Sequence, residues 1–244
     1  MLCSESLNIK YSLQPVNTEK RVIQNNIFLS GELALIIGLI VNSLSVTLVA
    51  KSDVGMSTIS LTAYVLSLVF SFFSFGTWSY IIQCALVVVL VGLVRKMKAG
   101  YAISFGLAIV YGMMIDFFYQ FVVKLPDTLL LHILYYALGF CGMAFGTCLL
   151  FKCRIPVLPF DTFTRDISWH FQISYKVIRT TFDASCLVFS ALLGFLYIGS
   201  LTGIGVGTVL NALFMGIAVS KVSDFLDKRF YFKPVFGWIG KLSS

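Results

Sequence analysis

The chain has 244 residues, of which 58% are hydrophobic and only 12% charged, where a soluble domain carries roughly 25%. That composition excludes a soluble enzyme, a nucleic-acid-binding domain and a disordered chain, and leaves a helical integral membrane protein. Lysine and arginine number 18 against 11 acidic residues, a net charge of +7, and the bases cluster at segment ends, where they set orientation and meet anionic lipid headgroups.

Residues 1–27 form a mixed polar segment with Lys10, Lys20 and Arg21. An uncharged run from Leu33 to Ala50 follows. It reads as an uncleaved first span, because no small-residue cleavage site follows a short apolar core. Val54 to Val94 is a longer uncharged run. A span needs roughly 20 apolar residues, so this run holds either two spans or one span at 77–95 preceded by a short non-crossing helix at about 58–73. Ala99 to Val123 carries one charge, Asp116, and Thr128 to Phe151 carries none. Pro159 suits a helix start, and a second short helix is expected over 160–171. The last apolar stretch breaks at Gly199-Ser200-Leu201-Thr202-Gly203 into spans of about 177–198 and 203–222. The tail, 227–244, mixes Lys228, Arg229, Lys233 and Lys241 with Phe230, Tyr231, Phe232, Phe236 and Trp238, a composition suited to the membrane surface.

Charge decides between the two readings of the long run. If 58–73 does not cross and the N-terminus is cytoplasmic, only Lys51 and Lys124 fall outside, with Arg179 inside a span. If 58–73 crosses alone, the N-terminal bases lie opposite the Arg95–Lys98 cluster. The positive-inside rule therefore favours six spans with both termini cytoplasmic.

The chain also reads as two membrane repeats, 28–123 and 128–226. Gly38 aligns with Gly139, Ser45 with Gly146 and Lys51 with Lys152; further on, Ala108 aligns with Ala212 and Gly112 with Gly216. Each half runs span, short helix, span, span. Three spans are an odd number, so the second half enters from the opposite side and the repeat is inverted, an arrangement that in transporters marks a site near the midplane. The expected fold is all-α, with six transmembrane helices and two short non-spanning ones.

Polar groups at bilayer depth are costly and are the candidate functional residues. Asp116 lies in the third span, toward its outer end. Arg179 and Asp183 are spaced to pair on one helix face, and Gln83 is the repeat counterpart of Asp183. Asp161 falls in the first turn of the second short helix, with Arg165 and Asp166 beyond it. Asn42 and Asn211 lie within the first and last spans, where interhelical hydrogen bonding is the ordinary role. Gly139, Gly142 and Gly146 make a small-residue face for a helix contact. Gly203-Ile204-Gly205-Val206-Gly207 lacks the strand that a phosphate loop requires and reads as a turn with close packing. His132 and His170 are expected on opposite sides of the membrane. No metal site or cofactor is expected, and no catalytic constellation assembles in one leaflet, so the chain is not read as an enzyme.

Gly55-Met56-Ser57-Thr58-Ile59-Ser60 with Tyr64-Val65-Leu66-Ser67, then Pro159-Phe160-Asp161, Arg179 and Gly207-Thr208-Val209-Leu210-Asn211-Ala212 with Gly216, resemble the YczE/YyaS/YitT family of bacterial membrane proteins. The resemblance covers about residues 30–222. It departs at Thr58, where proline is expected, and in the first half, which has no acidic match to Asp161. It implies a multi-pass protein of the bacterial inner membrane with a transporter label. The leading expectation is a transporter or permease for a small solute, its path running between the halves, lined by Gln83, Asp116, Asp161, Arg179, Asp183 and Asn211. The alternative is a non-transporting accessory or assembly protein. The expected partners are the lipid bilayer and the solute, with no nucleic acid; a homo-oligomer is compatible with the sequence.

Overall fold

The computed structural model describes residues 27–95, 99–153, 158–200 and 203–233. Lys10, Lys20, Arg21, Lys96, Lys98, Arg154, Phe236, Trp238 and Lys241 lie outside the described residues. Among the described residues the helices are α1 (Gly31–Ser52), α2 (Thr58–Val69), α3 (Phe75–Val94), α4 (Ala99–Val122), α5 (Leu129–Lys152), α6 (Pro159–Phe171), α7 (Tyr175–Leu193) and α8 (Val206–Asp227). A π-helical turn, Gly194–Ile198, extends α7. Among the described residues six helices are long and apolar enough to cross a membrane. Helices α2 and α6 have 12 and 13 residues. At 1.5 Å per residue they reach only about 18–20 Å, short of a hydrocarbon core of about 30 Å. The protein is thus an all-α polytopic membrane protein with two short helices inserted among its six long ones.

Local chemistry sets the helix ends. The Ser30 hydroxyl accepts from the Leu33 N–H at 3.2 Å, and Glu32 in the first turn complements the positive end of α1. Ser74 caps α3 in the same way through the Thr77 N–H, also at 3.2 Å. Pro159 occupies the start of α6, where its missing N–H costs nothing.

Within the aromatic, basic tail, strand β2 (Phe230–Lys233) pairs in parallel with β1 (Ile27–Ser30), Ile27 opposite Phe230 and Ser30 opposite Lys233. The three consecutive aromatics of β2, Phe230, Tyr231 and Phe232, give it strand propensity, and its backbone pairs with a segment distant in sequence.

Helices α1 and α5 run antiparallel in close contact. The small-residue face of α5 makes this possible: Gly139 sits against Val49, Gly142 against Ser45 and Gly146 against Asn42. At one end of this pair Lys51 Nζ lies 2.7 Å from Asp127 and 3.1 Å from the Val123 carbonyl, just past α4. At the opposite end Lys152 lies 2.6 Å from Asp227, the last residue of α8.

Each short helix lies along a long helix of the other half. Helix α2 runs parallel to α7: Thr58 meets Asp183, Thr62 meets Ser190, and Phe70 meets Tyr197. Helix α6 lies on α3, with Phe163 and Ile167 packed among Val87, Leu90 and Tyr101. Both therefore begin inside the bundle and run out toward opposite ends. The segment between α1 and α2 is anchored by backbone. Met56 N–H donates to the Gly203 carbonyl at 3.1 Å, and Gly207 N–H donates to the Val54 carbonyl at 2.9 Å. Gly55 has φ +139°, and a side chain there would strike Thr208; only glycine fits both demands. Irregular backbone at this depth is tolerated because the glycine-rich loop before α8 satisfies it.

Candidate functional site: the junction of the short helices

The first residue of α2 opens a polar chain. The Thr58 hydroxyl donates to Asp183 Oδ1 at 2.6 Å. Asp183 Oδ2 lies 3.4 Å from Arg179 Nε, one turn back along α7. Arg179 Nη1 donates to Asp161 Oδ1 at 3.1 Å, in the first turn of α6. The guanidinium also rests on the Phe160 ring, 4.2 Å from its centroid, a favourable cation–π placement. The starts of the two short helices are thus tied together through α7. The arrangement has an electrostatic logic, since carboxylates are stabilised beside the positive ends of helices. A hydroxyl ladder continues outward, with Thr62 Oγ1 2.9 Å from Ser190 Oγ and 3.4 Å from the Cys186 carbonyl.

Among the described residues three amides are buried elsewhere in the bundle. Asn42 on α1 donates to the Tyr111 hydroxyl on α4 at 3.3 Å. Gln83 on α3 donates to Ser79 at 3.5 Å. Among the described residues Asn42 Oδ1, Gln83 Oε1 and both amide atoms of Asn211 are buried with no hydrogen-bond partner. Asn42 and Asn211 were expected to bond between helices; Asn42 does so through one atom only, and Asn211 through neither.

Of the six residues singled out from the sequence, Asp161, Arg179 and Asp183 come together directly. Gln83 lies on the buried face of α3 with Gly76, Ser79, Val87 and Leu90; the far end of that face packs on α6. Asn211 follows Gly207 and Thr208 on the buried face of α8, one turn past their contact with Gly55. Asp116 stands apart. Its carboxylate accepts from the Gly76 N–H at 2.7 Å and the Ser74 hydroxyl at 2.5 Å, which makes it the anchor of the α3 N-terminus.

Thr58, Thr62, Ser190 and Tyr111 were not singled out from the sequence. The i,i+4 spacing of Thr58 with Thr62, and of Cys186 with Ser190, was the available signal. The histidines are separate: His132 lies 3.4 Å from Asp127, and His170 packs on Phe171. Among the described residues no group of three or more His, Cys, Asp and Glu is placed to hold a metal. Outside the spans, the hydrogen bond from Lys51 holds the Asp127 carboxyl below its usual value.

A family model matches residues 29–224, from within β1 nearly to the end of α8. The chain belongs to this family, a family of unknown function designated DUF6198. No curated protein matches the chain, and no solved structure matches it.

Proposed function

We propose that this DUF6198 protein is a transporter or permease for a small solute, with its path at the junction of the short helices. The observation that carries the reading is the polar chain Thr58–Asp183–Arg179–Asp161, which gathers the starts of α2 and α6 around two charged residues four and eight positions into the long helix α7. Ionisable groups are rarely kept at such depth without a role in moving a solute or a charge.

In this reading the halves are inverted repeats, which supplies the mechanism: one half rocks against the other and exposes the junction alternately to each side. Two related contacts support it. Lys51 at the end of α1 pairs with Asp127 after α4, and Lys152 at the end of α5 pairs with Asp227 at the end of α8. Likewise α2 lies on α7 as α6 lies on α3. The resemblance to the YczE/YyaS/YitT proteins is in keeping with this reading. We place the protein in the bacterial inner membrane with both termini cytoplasmic, on the distribution of its bases.

The native thiol of Cys186 tests the proposal, because it sits beside Thr62 one turn from Asp183. With the other cysteines replaced by serine, a membrane-impermeant thiol reagent should modify Cys186 from one side of the membrane. Complete protection from both sides, in every condition tried, would contradict a solute path and favour a packed accessory protein.

A further inference from the structure

The junction sorts its polar groups into two kinds. The ionised ones are engaged with one another: Asp183 with Thr58 and Arg179, and Arg179 with Asp161. The hydrogen-bonding capacity left over resides on neutral groups. Among the described residues Asn42 Oδ1 and Gln83 Oε1 have no partner, nor has either atom of the Asn211 amide. These three side chains are 8%, 5% and 6% exposed. An unmade hydrogen bond at such burial is costly, and native proteins rarely leave one without a reason.

Neighbours of all three amides belong to one buried cluster or pack against it: Val46 one turn from Asn42, Ile82 beside Gln83 and Met215 one turn from Asn211. Asn42 bonds to Tyr111, and Tyr111 belongs to the same buried cluster as Met56 and Leu158, the residues that lead into α2 and α6. Gln83 lies on α3 between the level that packs on α4, where Tyr80 abuts Gly112, and the level that packs on α6, where Leu90 meets Phe163. Asn211 points from α8 on the face that holds the segment leading into Thr58.

We propose that the space where α2 and α6 begin, bounded by Asn42, Gln83, Tyr111 and Asn211, is a binding site for a small uncharged solute carrying both hydrogen-bond donors and acceptors. Amides and a phenol offer donors and acceptors in one place, which matches a neutral polyol, amide or urea-like molecule. An ion entering the same space would find the charged groups already paired. The inference rests on the transport reading and names its substrate class.

The test uses three thiol reagents of one reaction type and similar size: hydroxyethyl, trimethylammonium-ethyl and sulfonato-ethyl methanethiosulfonates. Asn42→Cys, Gln83→Cys and Asn211→Cys are made singly in the full chain retaining Cys186 but no other cysteine. Rates are normalised to those with free cysteine. The neutral reagent should modify the introduced thiols about a hundredfold faster than either charged one, the discrimination expected of a site that leaves a charge unpaired at bilayer depth. Equal or faster reaction with a charged reagent overturns the inference and leaves transport standing. So does modification of Cys186 alone, with all three introduced thiols silent. If no thiol reacts, Cys186 included, the transport reading falls and this inference with it. Three independent positions keep the test decisive if one variant fails to fold.

Discussion

The hydroxyl of Thr58 donates to the carboxylate of Asp183 across 2.6 Å, joining residues 125 positions apart in the chain. One lies at the start of a helix too short to cross a membrane, the other within a long apolar helix of the opposite half. This bond fixes where α2 begins, and with the Arg179–Asp161 pair it sets both short helices end to end.

Removing either partner should weaken the fold. Thr58→Val and Asp183→Asn are each expected to cost about 1–2 kcal/mol, in the range for a charge-assisted hydrogen bond at a partly buried site. The double variant should lose less than the sum, because both changes act on the same bond: valine removes its donor, and asparagine keeps an accepting oxygen but loses the charge. Thermal unfolding in detergent measures all three.

The glycines paired by the repeat should respond differently. Gly112 sits against the Gly76 carbonyl and Tyr80, whereas a side chain at Gly216 would meet nothing. Gly112→Leu should destabilise by about 1–3 kcal/mol through overpacking. Gly216→Leu should stay within about 0.5 kcal/mol. The same unfolding assay distinguishes them, and equal effects would mean that α3–α4 and α7–α8 are packed alike.

A buried amide kept for a ligand should be a burden to the empty protein. Gln83→Leu and Asn211→Leu are expected to raise stability by about 1–2 kcal/mol, since each removes unpaired polar atoms. In reconstituted vesicles the same variants should slow uptake of neutral polar solutes, followed by light scattering after an osmotic step. A loss of stability would identify these amides as structural.

Acid should loosen the end of the bundle held by Lys51. The Asp127 carboxyl is held below its usual value by that lysine. Its folded value is therefore lower than its unfolded one. The pairing stabilises the fold above the unfolded value, near pH 4, and is lost as pH falls through the folded value. Asp127 is exposed, so the effect is small. Asp127→Asn should flatten the acid limb of a melting-temperature profile, and an unchanged limb would contradict the assignment.

The long spans were legible because hydrocarbon tolerates few charges, so each uncharged run marked a helix. The short helix α2 was legible less directly, through the lysines and arginines on either side. The Arg179–Asp183 pair followed from helical spacing alone. Its extension to Asp161 did not, because that contact crosses the turn between α6 and α7, and Asp183 already accounted for the arginine. The pairing of Val54 and Met56 with the loop before α8 runs through backbone atoms, and its only trace in sequence is a cluster of glycines. Asp116 was read as a candidate for the path because depth can be counted along a helix while direction cannot; its direction makes it a cap. The pairing of β1 with β2 joins segments that are distant in sequence, beyond the reach of local patterning.

The account depends on the chain between α1 and α3 entering the membrane and returning, through α2, to the side on which α1 ends. Compartment-specific reporters, one fused at the amino terminus and one inserted between Arg95 and Ala99, test this most directly. Both should report the same compartment, because only α1 and α3 cross between them. Reporters in opposite compartments would mean that α2 crosses as well; the halves would then run in the same sense, and the junction would lose its place inside the membrane.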